Sequence, residues 1–407
     1  MHIAPISALR RRSIDSGPDY GAIKEDVHVL ACALSLAQVP AGNRRDLRLD
    51  LFRGLSLLMI CFDHIHHSFL SHLTVRNFFY FDAAEIFVFI SGYTGAIVYG
   101  RSIQQHGVIV TSVRVYRRVI QIYIANTILC LTSLALLVMI SGNPHSAGFG
   151  ANILDALFLN SPVQMGHILP LYMVLLTFLP AALYLLRRHF LLPGILSAIL
   201  YGLTLGLGWK FYPTPLHDAF NVLAWQFLFV IGVSLGNLQL RKPGPISIPA
   251  WLLKLAVFAA MLFSACHIYA IGAPIFGLAP PGALAVDKTD LSVFRLVNFL
   301  AVAIVVVHLV KLENVYLRHL ALRPIILCGQ HSLPIFCLGV LLSLIVQFAF
   351  TRFGANPGIQ AVASLGVVTI MFSAAFLLEV LHRARRNPQL RPGMIRSAAD
   401  LAIRLCS

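Results

Sequence analysis

Arg53 and His64 stand eleven positions apart in residues 44–71, RRDLRLDLFRGLSLLMICFDHIHHSFLS. The run is long and apolar enough to span a bilayer. Ionisable groups inside a span are costly, so Asp63, His64, His66 and His67 mark a site facing the bundle interior. Eleven helical steps overshoot three turns by only about 20°, which puts Arg53 and His64 on one face, about 16 Å apart along the axis. Ser56, Ile60 and His67 fall near the same stripe, and Asp63 is turned about 100° from His64. The chemistry this arrangement offers is proton transfer, because an imidazole titrates near neutral pH and can take a proton from a hydroxyl. Two other uses compete with it. One is a buried histidine bonded to a neighbouring carbonyl. The other is a metal site on His64, His66 and His67, which lacks carboxylate–histidine spacing from a second helix. No metal is expected.

The next span begins FDAAEIFVFISGYTG. Asp82 and Glu85 lie one turn apart where this helix starts, so they could act on His64 or simply suit a helix N-terminus. Ser91, Gly92 and Gly95 permit close helix contact. Later spans add polar points: Asn221, Trp225 and Gln226; Lys288, Arg295 and Asn298 in DKTDLSVFRLVNF; and Gln330, His331, Ser332 and Pro334 in ILCGQHSLPIF. For Trp225, Gln226 and His331, packing and interhelical hydrogen bonds are the first expectation.

These residues need a lipid-embedded scaffold, and the composition supplies one. The 407 residues are 58% hydrophobic and only 12% charged, with mean hydropathy +0.80, whereas a soluble domain is nearer a quarter charged. The expected fold is an all-α polytopic membrane protein, a single bundle of about ten transmembrane helices. After the first helix the spans are 82–100, 119–140, 168–186, 190–208, 219–238, 250–271, 291–310, 325–350 and 358–381. The net charge of +15 points to basic loops on one side of a membrane and not to nucleic acid. With the N-terminus inside, every inside loop carries at least two Lys or Arg and no outside loop more than one, which puts both termini in the cytoplasm. The division is a tail over 1–46, a transmembrane domain over 47–382 and a basic tail over 383–407. The run 28–40 is too short to span and does not read as a signal peptide. Seven cysteines show no CxxC pairing and read as packing residues.

Arg53-(ten residues)-His64 resembles the Arg/Lys-X10-His signature of the membrane-bound acyltransferase type 3 families. RDLRLDLFRGLSLLMICFDH, RNFFYFDAAEIFVFISGYTGAIVYGR, HILPLYMVLLTFLP, NVLAWQFLFVIGVSLG, DKTDLSVFRLVNFLA and GQHSLPIFCLGVLLS resemble, in order, segments of the OpgC family. That family is associated with succinylation of osmoregulated periplasmic glucans. The resemblance implies O-acyl transfer from acyl-CoA, succinyl-CoA first, to a hydroxyl of a periplasmic glucan or other glycan across the bacterial inner membrane. His64 is the expected general base, with Asp63 and Glu85 beside it. Arg48, Arg53, Arg117, Arg118, His331 and Ser332 are candidates for the donor. Arg76, Asn77, Asp82, Tyr93, Trp225, Gln226, Lys288 and Arg295 are candidates for the acceptor. Membrane lipids are the expected surroundings, and an oligomer is left open. The rival class is a transporter or flippase using a His/Asp/Glu proton relay, which would more often show an internal repeat; a third is a sugar-binding scaffold.

Overall fold

The computed structural model describes residues 46–65, 68–141, 167–212, 220–242, 244, 247–272, 286–310, 317 and 319–386. His66, His67 and most of both tails lie outside them. The described residues fall within one compact unit, Asp46–Pro388, and contain ten α-helices and no strand. In chain order these are α1 Leu47–Asp63, α2 Ala83–Ser141, α3 Ile168–Arg188, α4 Leu192–Leu207, α5 Val222–Arg241, α6 Ala250–Gly272, α7 Val293–Leu309, α8 Arg323–Gln330, α9 Ser332–Phe353 and α10 Pro357–Arg386. Six of them, α2, α3, α5, α6, α9 and α10, are long and apolar enough to cross a membrane. The chain is a polytopic helical membrane protein, and large side chains such as Ile109, Met139, Trp251 and Met261 point outward from it.

α2 departs from the expected loop at 101–118. It folds back on itself at Gly107, whose φ of 80° and ψ of 174° suit only glycine. On a straight helix Ser102 and Thr111 would be about 13.5 Å apart, yet their hydroxyls meet at 2.9 Å, and Arg114 donates to Ser102 at 3.0 Å. The basic stretch is therefore a tight hairpin between two helical arms. α10 also runs on to Arg386, four residues into the expected tail, helped by the Glu379–Arg383 pair one turn apart.

α1 ends earlier than the apolar run suggests. His64 Nδ1 donates to the Ile60 carbonyl at 2.6 Å, while the His64 backbone N–H turns to Cys61 at 3.3 Å. The imidazole thus takes the acceptor that the next helical N–H would use, and the helix stops. Two 3-10 turns, Phe69–Leu73 and Val75–Asn77, carry the chain to α2.

Lipid gives no hydrophobic drive between helices, so small residues at crossings decide how closely they pack. Gly92, Gly232 and Gly236 seat α2 directly against α5, each facing a backbone carbonyl of the other helix. Gly54 of α1 faces the Ile325 carbonyl, and Gly329 of α8 faces the Asp50 carbonyl. A Cβ at either position would overlap backbone that has nowhere to go. Leu171, Leu175, Leu179, Leu183 and Leu186 of α3, spaced on one face, close the core on α2 and α5.

Gly329→Val should therefore separate α8 from α1 and lower the thermal unfolding midpoint of detergent-purified protein, at a cost of about 1–3 kcal/mol or more. Gly366→Ala, where a Cβ meets open space, should leave the midpoint in place. Equal midpoints would contradict the backbone-to-backbone crossing.

Candidate functional site

Two polar clusters occupy opposite ends of α1, one around His64 and one around Arg48. At the His64 end, the carbonyl of Ile60 can only accept, so Nδ1 of His64 carries the hydrogen and Nε2 is the basic nitrogen of the neutral ring. Lys288, Asp82 and Arg76 lie close enough to act electrostatically on this imidazole. Asp63 accepts from the Thr74 hydroxyl at 2.6 Å and stands 3.9 Å from Arg76. Asn77 donates to the Ser71 carbonyl at 2.6 Å. Asp63, Arg76 and Asn77 therefore organise the segment that leaves α1. His267 of α6 donates to the Arg76 carbonyl at 2.9 Å and ties that segment down.

Asp82 and Glu85 cap α2 reciprocally. Asp82 accepts from the Ala84 N–H at 2.8 Å, and its own N–H donates to Glu85 at 3.0 Å. Both carboxylates then reach α7. Arg295 donates to Glu85 through Nε at 2.7 Å, with Nη2 at 2.6 Å from the same oxygen. Nη2 is also 3.4 Å from Asp82, whose Oδ2 meets Lys288 at 2.7 Å. Glu85 is fully buried, and its carboxylate is held by Arg295 and the Asp82 N–H. Asn298, one turn beyond Arg295, accepts from the Tyr80 N–H at 3.0 Å. Trp225 donates to the Lys288 and Thr289 carbonyls, each at 3.1 Å, so it holds the loop that presents Lys288. Asn221 caps α5 and donates to Asp290 at 2.8 Å. Gln226 lies apart from this group, bonded to Ser197 of α4.

At the Arg48 end, Arg48 is clamped by Asp46 at 2.7 Å and donates to the Val310 carbonyl at 3.1 Å. Arg53 donates to Thr94 at 2.6 Å. Tyr93, grouped with the acceptor by sequence, sits beside Thr94 and within electrostatic range of Asp46 and Arg48, away from the other acceptor candidates. Gln330 donates to Asp50 at 3.3 Å. His331, at the break between α8 and α9, stands 3.3 Å from Glu379 of α10, with Ser332 opening α9. Arg117 is exposed on the second arm of α2, and Arg118 donates to Gln121 at 3.3 Å. The six donor candidates thus fall on three separate elements.

Sequence reasoning passed over Glu379, Arg383, Thr94 and Thr74. Glu379 had the same signal as Asp63, a lone carboxylate in an apolar span. The threonines carry no signal of their own, since only the fold shows what they meet.

Among the described residues, no group of three or more His, Cys, Asp or Glu could hold a metal. The buried Glu85–Arg295 pair should matter most as a pair. Arg295→Leu leaves Glu85 uncompensated and should cost about 3–5 kcal/mol. Glu85→Leu/Arg295→Leu should cost clearly less than the two single changes summed, read as a double-mutant cycle on unfolding. Additive costs would mean the two groups do not depend on each other.

No curated protein matches the chain at a significant level. The family described as OpgC protein matches residues 45–383, from just before α1 to Arg383 in α10. Both polar clusters lie inside that match, and it covers far more than half of the sequence. The chain is a member of the OpgC protein family.

Proposed function

We propose that this protein transfers an acyl group, succinyl first, from cytoplasmic acyl-CoA to a hydroxyl of a periplasmic glucan or related glycan, with His64 as general base. Family membership supports a membrane acyltransferase that modifies glucans. The observation that carries the role of His64 is its fixed tautomer, since the Ile60 carbonyl engages Nδ1 and leaves Nε2 to accept a proton.

The steps balance with this residue alone moving the proton. Nε2 takes the proton of the attacking hydroxyl as its oxygen bonds to the thioester carbonyl carbon. The tetrahedral oxyanion collapses, the carbon–sulfur bond breaks, and the imidazolium returns the proton to the leaving thiolate. Asp82 lies within electrostatic range of the ring and favours the transient imidazolium, while Lys288 and Arg76, also in range, oppose it. The paired charges of Lys288, Arg295, Asp82 and Glu85 surround the same end and suit the polar rim where a sugar would dock. The distribution of Lys and Arg supports both termini in the cytoplasm, with the Arg48 end of α1 facing the donor.

In purified protein given succinyl-CoA and a soluble glucan, with no membrane gradient, transfer should proceed. His64→Ala should lower the rate on the order of 10²-fold or more while CoA binding persists. Wild-type rates in His64→Ala would remove it as the base, and turnover that needs a gradient would favour a transporter. Orientation is checked separately. A reporter active only in the periplasm should stay silent at the C-terminus and respond when placed within 141–166. The reverse pattern would invert the topology.

A further inference from the structure

Among the described residues, Leu291 is the only non-glycine with a positive φ, at 46°. That conformation is strained for a large side chain, and Leu291 is fully buried. Strain of this kind persists only where the surroundings impose it. Here they do. The Tyr201 hydroxyl of α4 donates to the Leu291 carbonyl at 2.6 Å. The Asn221 N–H donates to the Thr289 carbonyl at 2.9 Å, and its side chain to Asp290 at 2.8 Å. Trp225 holds the carbonyls of Lys288 and Thr289. Within the turn, the Ser292 N–H returns to the Asp287 carbonyl at 3.0 Å. Residues 287–291 are thus pinned from α4 and α5 before α7 begins.

The side chain this turn brings to the His64 end is Lys288. Its Nζ lies 2.7 Å from Asp82 and 5.4 Å from the centre of the Phe220 ring. It is within electrostatic range of both His64 and Asp63. An ammonium has three N–H donors, and the Lys288 side chain is 43% exposed, so Asp82 does not exhaust its capacity. The neighbouring cations differ. Arg295 is buried and committed to Glu85. Arg76 turns back to the Asp63 carbonyl at 3.3 Å.

A fixed cation beside a base that must become an imidazolium is unfavourable by itself. It is offset where an anion forms at the same moment. Acyl transfer supplies one. As the hydroxyl oxygen bonds to the thioester carbon, the carbonyl oxygen takes up the negative charge. Donors held in place beforehand stabilise that charge without reorganising.

We propose that Lys288 is a catalytic residue whose ammonium donates to this oxyanion, with Trp225, Asn221 and Tyr201 as positioning residues that hold its turn. The assignment rests on the acyl-transfer reading given above. Lys288 keeps its own proton throughout, and the proton taken by His64 still goes to the leaving thiolate.

The test uses purified full-length protein with succinyl-CoA and a soluble glucan. Lys288→Met keeps the length of the side chain and removes its charge. It should lower kcat on the order of 10²-fold with little change in either KM, and Lys288→Arg should recover part of the loss. Trp225→Phe keeps a buried ring and removes the indole N–H. It should lower kcat several-fold in the wild-type background and add nothing in Lys288→Met, because its effect passes through Lys288. Unfolding midpoints confirm that each variant is folded. Wild-type kcat in Lys288→Met, where His64→Ala is inactive, overturns the assignment and leaves the acyl-transfer reading standing. A raised acceptor KM with kcat intact makes Lys288 a docking contact, and the oxyanion role is wrong. Losses that multiply in the double variant remove the positioning role of Trp225. No transfer by wild type overturns both readings.

Discussion

The pairing of Glu85 with Arg295 is the constraint around which the His64 end is built. A carboxylate with no exposure at the start of a helix is tolerable only with a fixed counter-charge and full hydrogen bonding. Arg295 supplies the charge and the Asp82 N–H supplies the second bond. Meeting that requirement fixes where α7 starts relative to α2. It then places Lys288 beside Asp82, and Trp225 locks the loop that carries Lys288. The charges that surround the imidazole are in this sense a by-product of satisfying one buried acid.

The packing of α1 follows a different logic. Its His64 end is fixed by a side-chain hydrogen bond from His64, and its Arg48 half by backbone contact with α8 at Gly54 and Gly329. Neither contact depends on apolar area, which discriminates little in lipid. Between the two, Arg53 meets Thr94 of α2.

The spans were largely readable because long apolar runs and charged loops are local properties of a sequence. Each expected span contains helix in the structure, and the one over 325–350 is broken at His331 between α8 and α9. The hairpin at Gly107 was not readable, since Gln104, Gln105, His106 and Gly107 look like any polar loop and only φ and ψ reveal a one-residue reversal. Polar partners were harder still. Asp82 and Glu85 stood out as acids at a helix start, yet nothing local says that Arg295, 210 residues further on, is the group that Glu85 meets. Tyr93 illustrates the same limit. It follows the acidic start of α2 in sequence, but eleven residues of rise carry it to the level of Arg53. Glu379 was visible in type and lost in context, because pairing across helices is a property of the fold.

The reversal at Gly107 also bears on how this family can vary. Most connections between membrane helices absorb inserted or deleted residues, because slack in a loop decouples one span from the next. Here a single residue joins the two arms of α2, with Ser102, Thr111 and Arg114 laced across it. One added residue would rotate the second arm by about 100°, turning the exposed Ile109 and Val113 inward and the buried Ile122 and Leu129 toward lipid. Length at this turn is therefore as strictly specified as identity is in a core. Homologous chains should change residues freely around Gly107 while keeping their count.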